Sequence, residues 1–187
     1  MQARIASISG LVLISLSQVL FAFGFGFLMA QRPIDFAHWA LLLGATLLFS
    51  LWFSLPDSVT KKWGLLIMTL GIVGVAGMCT IDFLLWSMSE DPTARDMLFQ
   101  KIGENPSIQI PFLMLGPAFF YSGICISTYG LFNRYKWQVL LLNLGALLIG
   151  LGLMVLRNGS LAGIGGIFLL IGLGSILLKD EEKTIST

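Results

Sequence analysis

The sequence predicts an all-α fold, a polytopic membrane helical bundle, from three observations. In 187 residues the hydrophobic side chains make up 56% and the charged ones only 11%, where a soluble domain carries about a quarter charged. Mean hydropathy is +0.88. Apolar runs of about 20 residues recur, each long enough to cross a hydrocarbon core of roughly 30 Å as a helix rising about 1.5 Å per residue. The net charge of +1 excludes a nucleic-acid-binding face, and two cysteines exclude a disulfide-built secreted scaffold.

Six spans are expected in a single transmembrane domain, over 5–30, 36–55, 63–89, 108–132, 137–156 and 160–178. The breaks between them carry turn chemistry: Gln31-Arg32-Pro33-Ile34-Asp35, Leu55-Pro56-Asp57-Ser58, Asn133-Arg134-Tyr135-Lys136 and Arg157-Asn158-Gly159. The first span follows Arg4 and has the polarity of a signal peptide. Its apolar run is too long for one, and no A-x-A cleavage site follows, so it is read as a membrane span. Between the third and fourth spans, residues 90–107 form the longest loop. Asp91-Pro92 reads as an N-cap and first-turn proline, Gly103 as a stop, and Met97, Leu98, Phe99 and Ile102 as the apolar face of a short surface helix. Such a helix serves either as a lid over the bundle or as a docking site for a partner.

Lys and Arg set the orientation. With the N-terminus cytoplasmic, Arg4, Lys61, Lys62, Arg134, Lys136, Lys179 and Lys183 lie inside, against Arg32, Arg95, Lys101 and Arg157 outside. Both termini and the tail over 179–187 are therefore expected in the cytoplasm. One internal echo stands out: residues 62–71 and 136–145 are identical at Lys62, Trp63, Leu66, Leu70 and Gly71 at a constant offset of 74. It suggests two three-helix units in parallel repeat. A Lys-Trp pair at the inner interface also arises independently from positive-inside and aromatic-belt preferences.

Catalytic constellations are scarce. The single histidine, His38, beside Trp39 at the expected outer end of the second span, reads as an interfacial anchor. Cys79 and Cys125 fall about 12 Å apart in depth by helix rise, too far for a disulfide with Cα atoms about 6 Å apart. No nucleophile-base pair or metal set is present, and neither a catalytic residue nor a cofactor nor a metal is expected. The residue that stands against its surroundings is Asp82, in an otherwise apolar run. An isolated carboxylate in hydrocarbon costs several kcal/mol, so it must be protonated, paired, or facing a polar cavity. Gly71, Val75, Met78 and Asp82 share one stripe at 100° per residue, so Asp82 should face inward. Its depth, about 28 Å above Trp63, matches Leu113 on the fourth span. Pro117 removes the hydrogen bond to the Leu113 carbonyl, which a protonated Asp82 can replace. Gln18, Arg32 and Arg157 are further candidate partners. Tyr121 and Cys125 share a face with Pro117, and hydroxyls in membrane helices bond their own backbone or a neighbouring helix. Gly71, Gly145, Gly159 and Gly163 mark helix packing, the last two in small-xxx-small spacing.

The stretch Leu115-Gly116-Pro117 through Ser122-Gly123, with Gly130-Leu131-Phe132, Trp137 and Leu144-Gly145-Ala146-Leu147-Leu148, resembles a pattern recurrent in small uncharacterised bacterial six-helix integral membrane proteins. The resemblance covers roughly 40 residues and implies a bacterial inner-membrane location without an activity. The function expected is that of a non-enzymatic multi-pass membrane protein of structural, accessory or ligand-binding type. The alternative is a proton-coupled transporter of a small solute or ion that uses Asp82. Membrane lipids, and either other membrane proteins or a second copy of the chain, are the expected partners, and nucleic acid is not. The topology predicts that a Ser186→Cys variant stays unlabelled by an impermeant thiol reagent in intact cells and reacts after permeabilisation. Labelling in intact cells would overturn it.

Overall fold

The computed structural model describes the backbone over residues 1–185 and the side chains over 1–179, so the Lys183 and Ser186 side chains of the expected tail lie outside the described residues. The described residues are helical without strands. In chain order the helices are α1 (Gln2–Phe21), α2 (Phe25–Ala30), α3 (Phe36–Leu48), α4 (Leu51–Ser54), α5 (Val59–Ser87), α6 (Pro92–Gly103), α7 (Pro106–Tyr129), α8 (Lys136–Val155) and α9 (Gly159–Ile185). Five of them, α1, α5, α7, α8 and α9, are long and apolar enough to cross a membrane, which fits a membrane protein.

Two expected spans are interrupted. The first ends at Phe21, and Gly24, at φ 86°, turns the chain before α2; only glycine takes that conformation without a steric cost. The second breaks at Phe49-Ser50, leaving α3 at 13 residues and α4 at four. Together they still run antiparallel along α1. Phe21 packs on His38 near one end, and the Ser7 hydroxyl meets those of Ser50 (2.7 Å) and Ser54 (3.0 Å) near the other. Beyond α4, the buried Lys61 ammonium donates to the Leu55 carbonyl at 2.7 Å and to Asp57 at 2.9 Å. That partner holds the Asp57 carboxyl below its ordinary value of 3.8.

The core is built from antiparallel helix pairs that touch backbone to backbone through glycine. In α1/α3, a Cβ on Gly10 would lie 2.8 Å from the Gly44 carbonyl oxygen, and one on Gly44 2.7 Å from that of Gly10 and 2.9 Å from the Ile14 nitrogen. In α8/α9, the Gly145 and Gly165 positions each face the other's carbonyl oxygen at 2.6 Å, and Gly165 lies 2.9 Å from the Ile149 nitrogen. In α5/α7, Gly71 abuts the Phe120 backbone and Gly116 abuts Gly74. The correspondence extends further. Gly123 of α7 faces the Met68 backbone and Gly64 oxygen as Gly172 of α9 faces the Leu142 nitrogen and Gln138 oxygen. The offset of 74 therefore carries the third expected span onto the fifth, each the first helix of a two-helix hairpin. The pairing has a two-helix period, unlike the two three-helix units expected.

Where hydrogen replaces a side chain at these crossings, the axes approach closely and small dispersion terms add up along the contact. Large apolar side chains fill the space between hairpins: Leu11, Ile14, Leu65, Met68, Phe120, Ile124, Leu142 and Leu169 are fully buried. The loop helix α6 forms as expected, with the Asp91 carboxylate accepting from the Ala94 N–H. Its Ile102 packs on Ile81 and Leu85 of α5, while Met97 and Phe99 stay exposed.

Gly163 differs from the other glycines. It faces Ala22 at 3.4 Å, an ordinary van der Waals distance, whereas Gly159 abuts the Phe21 backbone. Gly163→Ala should therefore leave melting in detergent unchanged or raise it, since alanine favours a helix over glycine by about 1 kcal/mol. Gly71→Ala and Gly145→Ala meet backbone that cannot give, and should cost roughly 1–3 kcal/mol or more. Equal melting of all three variants would show that these crossings are not close.

Candidate functional site

Asp82 faces inward, as its stripe requires, but its partner is His38. The His38 Nε2 lies 3.2 Å from Asp82 Oδ2, and its Nδ1 lies 2.6 Å from Asp35 Oδ2. The local sequence sets this geometry. Asp35 is the N-cap of α3, one oxygen accepting from the His38 backbone N–H at 3.1 Å, which leaves the second oxygen on the imidazole one turn along. Gln31 secures the same turn by accepting from the Ala37 N–H at 3.2 Å. The interfacial-anchor reading of His38 is thus corrected: the side chain is buried, wedged against Phe21 at 5.0 Å and edge-on to Phe83 at 6.4 Å.

Protons can be counted from the contacts. A neutral imidazole has one N–H, and the short contact places it on Nδ1, toward Asp35. Nε2 and the Asp82 oxygen then face each other as two acceptors, which repel unless one of them carries a proton. With that proton in place the trio bears one negative charge, whether the proton sits on the ring or on the carboxyl. A second proton would neutralise it, and loss of the first would leave two negative charges. Asp35 is fully buried, whereas the Asp82 side chain is 25% exposed, and that exposure faces a cleft.

The cleft encloses about 1020 Å³. Leu41, Val75 and Met78 line it, and its walls are α7 and α8, which touch only slightly. The sequence-derived residues Gln18, Leu113, Pro117, Tyr121 and Cys125 all line it with Asp82 and His38. The polar partner of Asp82 is His38 and not the expected Leu113 carbonyl. Gln18 donates to the Tyr121 hydroxyl at 3.2 Å, while its own carbonyl oxygen is buried without a partner. Of the two basic candidates, Arg32 lies over the Trp86 ring at 5.1 Å and 3.8 Å from Glu90. Arg157, in the left-handed region at φ 49°, sits exposed on the cleft lining.

Both walls widen into π-helical turns beside the cleft, over Gln109–Leu115 in α7 and Leu151–Val155 in α8. In α7 two prolines cause this. Pro111 and Pro117 lack N–H groups, and the Gly116 N–H closes on the Pro111 carbonyl five residues back. Such turns recur at functional sites because they re-aim side chains within a helix. Here they set Gln109, Leu113 and Met114 against Leu151, Leu153 and Met154.

Among the described residues no group of three His, Cys, Asp or Glu side chains is arranged to hold a metal ion. Both imidazole nitrogens already face carboxylates. Cys79 and Cys125 are free thiols. No family model, curated protein or solved structure matches the chain.

Because His38 is the sole histidine, 15N-histidine labelling yields one pair of ring signals. We expect Nδ1 to be protonated and strongly hydrogen-bonded, and Asp35→Asn to shift the tautomer balance. Unchanged ring signals in Asp35→Asn would contradict the assigned geometry.

Proposed function

We propose that this chain is a non-enzymatic multi-pass membrane protein that binds a small amphipathic molecule between α7 and α8 and couples its occupancy to proton exchange at Asp82 and His38. The observation that carries the reading is the placement of His38 and Asp82, backed by the buried Asp35, in the lining of a mainly apolar cleft of about 1020 Å³. A role confined to helix register would need the trio but no opening beside it. A proton site open to exchange needs both. The ligand-binding and proton-coupled transport readings meet here, since a carrier is a binding site whose protonation changes between two openings.

The same reading takes α3 with α4 as a sixth crossing, because they accompany α1 from Phe21 to Ser7. With six crossings, the Lys and Arg asymmetry supports both termini in the cytoplasm, and the resemblance of residues 115–148 supports a bacterial inner membrane.

Nile red, an uncharged amphipathic dye, tests this in nanodiscs. It should bind wild-type protein saturably above its partition into protein-free discs, and Ala118→Trp, which projects a bulky ring into the cleft, should weaken that binding. An uncharged body displacing water favours the least charged state of the trio, so affinity should rise about tenfold as the pH falls through its titration, by linkage at 1.36 kcal/mol per decade. Asp82→Asn should bind with a weaker pH dependence, because the Asp35–His38 pair remains while the carboxyl at the cleft is gone. A flat pH profile in wild type, or binding unaffected by Ala118→Trp, would overturn the proposal.

A further inference from the structure

The polar groups that the cleft offers are unequal in kind, and the imbalance identifies a ligand class. The trio carries one negative charge when a single proton bridges Nε2 and Asp82, and Asp82 is its exposed member. Gln18 adds a buried carbonyl oxygen with no partner. This second acceptor is joined to the trio through packed side chains: Gln18 and Phe21 are one turn apart on α1, and Phe21 lies 5.0 Å from the His38 ring. Phe21 and Tyr121 also present aromatic rings to the cleft, and ring faces attract cations. Asp82, Gln18, Phe21 and Tyr121 all line the apolar trough, which brings a negative charge, an unsatisfied acceptor and two rings to one cleft. Arg32 is engaged by Trp86 and Glu90, and Arg157 lies on the exposed rim.

We infer that the cleft takes an amphipathic primary amine, with its ammonium held by Asp82 and the Gln18 carbonyl and its apolar chain lying between α7 and α8. The inference rests on the proposed function and names its ligand class. An ammonium supplies three N–H donors and one positive charge, which answers the unpaired oxygen and offsets the negative charge of the trio. A quaternary ammonium supplies charge without donors, an alcohol a donor without charge, and a carboxylate the wrong sign. The chain has a direct route from the bilayer, because the walls meet loosely and Leu147, Leu151 and Met154 of α8 are exposed along the opening. The titratable and charged groups around the ammonium position are Asp35, His38, Asp82, Cys79, Tyr121 and Cys125, with Arg157 at the rim.

Four probes of one chain length separate these terms by displacing Nile red from the protein in nanodiscs at pH 7: dodecylamine, dodecyltrimethylammonium, dodecanol and dodecanoate. Dodecylamine should displace the dye at least tenfold more tightly than the other three, with the quaternary cation second. Its affinity should fall as the pH is lowered through the titration of the trio, opposite to the trend for the dye itself. Gln18→Leu should narrow the gap between amine and quaternary cation to threefold or less. Asp82→Asn should remove the gap between amine and alcohol, and retained dye binding shows that each variant keeps a folded cleft. Equal displacement by all four probes would assign the cleft to any acyl chain and overturn the amine. If the amine shows no preference while the dye stays pH-linked and sensitive to Ala118→Trp, this inference fails and the proposed function stands. Loss of the dye response itself removes both.

Discussion

A carboxylate placed in an apolar environment must share its charge with a proton or a partner, and the contact between Asp82 and His38 is how this chain meets that demand. The contact constrains its surroundings. The imidazole must be turned toward α5, so its other nitrogen needs an orienting group, which Asp35 provides from the N-cap of α3. Asp35 is wholly buried, so the Gln31–Asp35 turn must fold down over the helix ends rather than extend away from them. The Trp86 indole N–H, donating to the Gln31 carbonyl at 3.2 Å, holds it there. A charge requirement on α5 thus shapes a loop about 50 residues earlier in the chain.

The glycine crossings supply the rigidity that such a contact needs. A pair of helices pressed backbone to backbone cannot slide or rotate without a clash, so each hairpin behaves as a unit. The hairpins are joined with α1 lying on α9, where Gly159 abuts the Phe21 backbone and the Ser15 hydroxyl donates to the Gly166 carbonyl, and with α3 on α5. Between α7 and α8 the packing is thin, and the cleft opens there. Both walls carry a π-helical turn and α7 adds the prolines Pro111 and Pro117, so the backbone is least regular where the packing is weakest. Relative motion of the α5/α7 and α8/α9 hairpins would change the width of this opening while each hairpin stays intact.

Much of this was legible from residues alone. The apolar runs reveal the helices, and Asp82 is conspicuous for its charge. Depth counting along antiparallel helices was enough to bring Leu113, and with it Pro117, to the level of Asp82, because helix rise is constant whatever the packing, while Gln18 and Tyr121 stood out by polarity and by helix face. His38 was misjudged because position near a helix end suggests exposure, and only the folded Gln31–Asp35 turn covers it. A signal was present in Asp35-x-x-His38, since an N-capping carboxylate has a second oxygen one turn below a histidine. The interruptions at Gly24 and Ser50 were hidden by uniform hydropathy, which measures length without reporting backbone direction. Gly10 and Gly44 passed unnoticed because a lone glycine in an apolar run carries no label for its partner. The echo at offset 74 was visible, and the expected span limits already carry it from the third span to the fifth; which helix each copy presses against follows only from the fold.

The central claim is that Asp82 and His38 hold one exchangeable proton between them at the wall of an open cleft. Infrared spectroscopy of the carboxyl C=O stretch, with Asp82→Asn identifying the band, addresses it directly. The account predicts that the Asp82 carboxyl responds within seconds to transfer into D2O, and that its titration and that of the His38 ring follow one shared curve. A carboxyl that resists exchange for hours, or that titrates independently of His38, would contradict it.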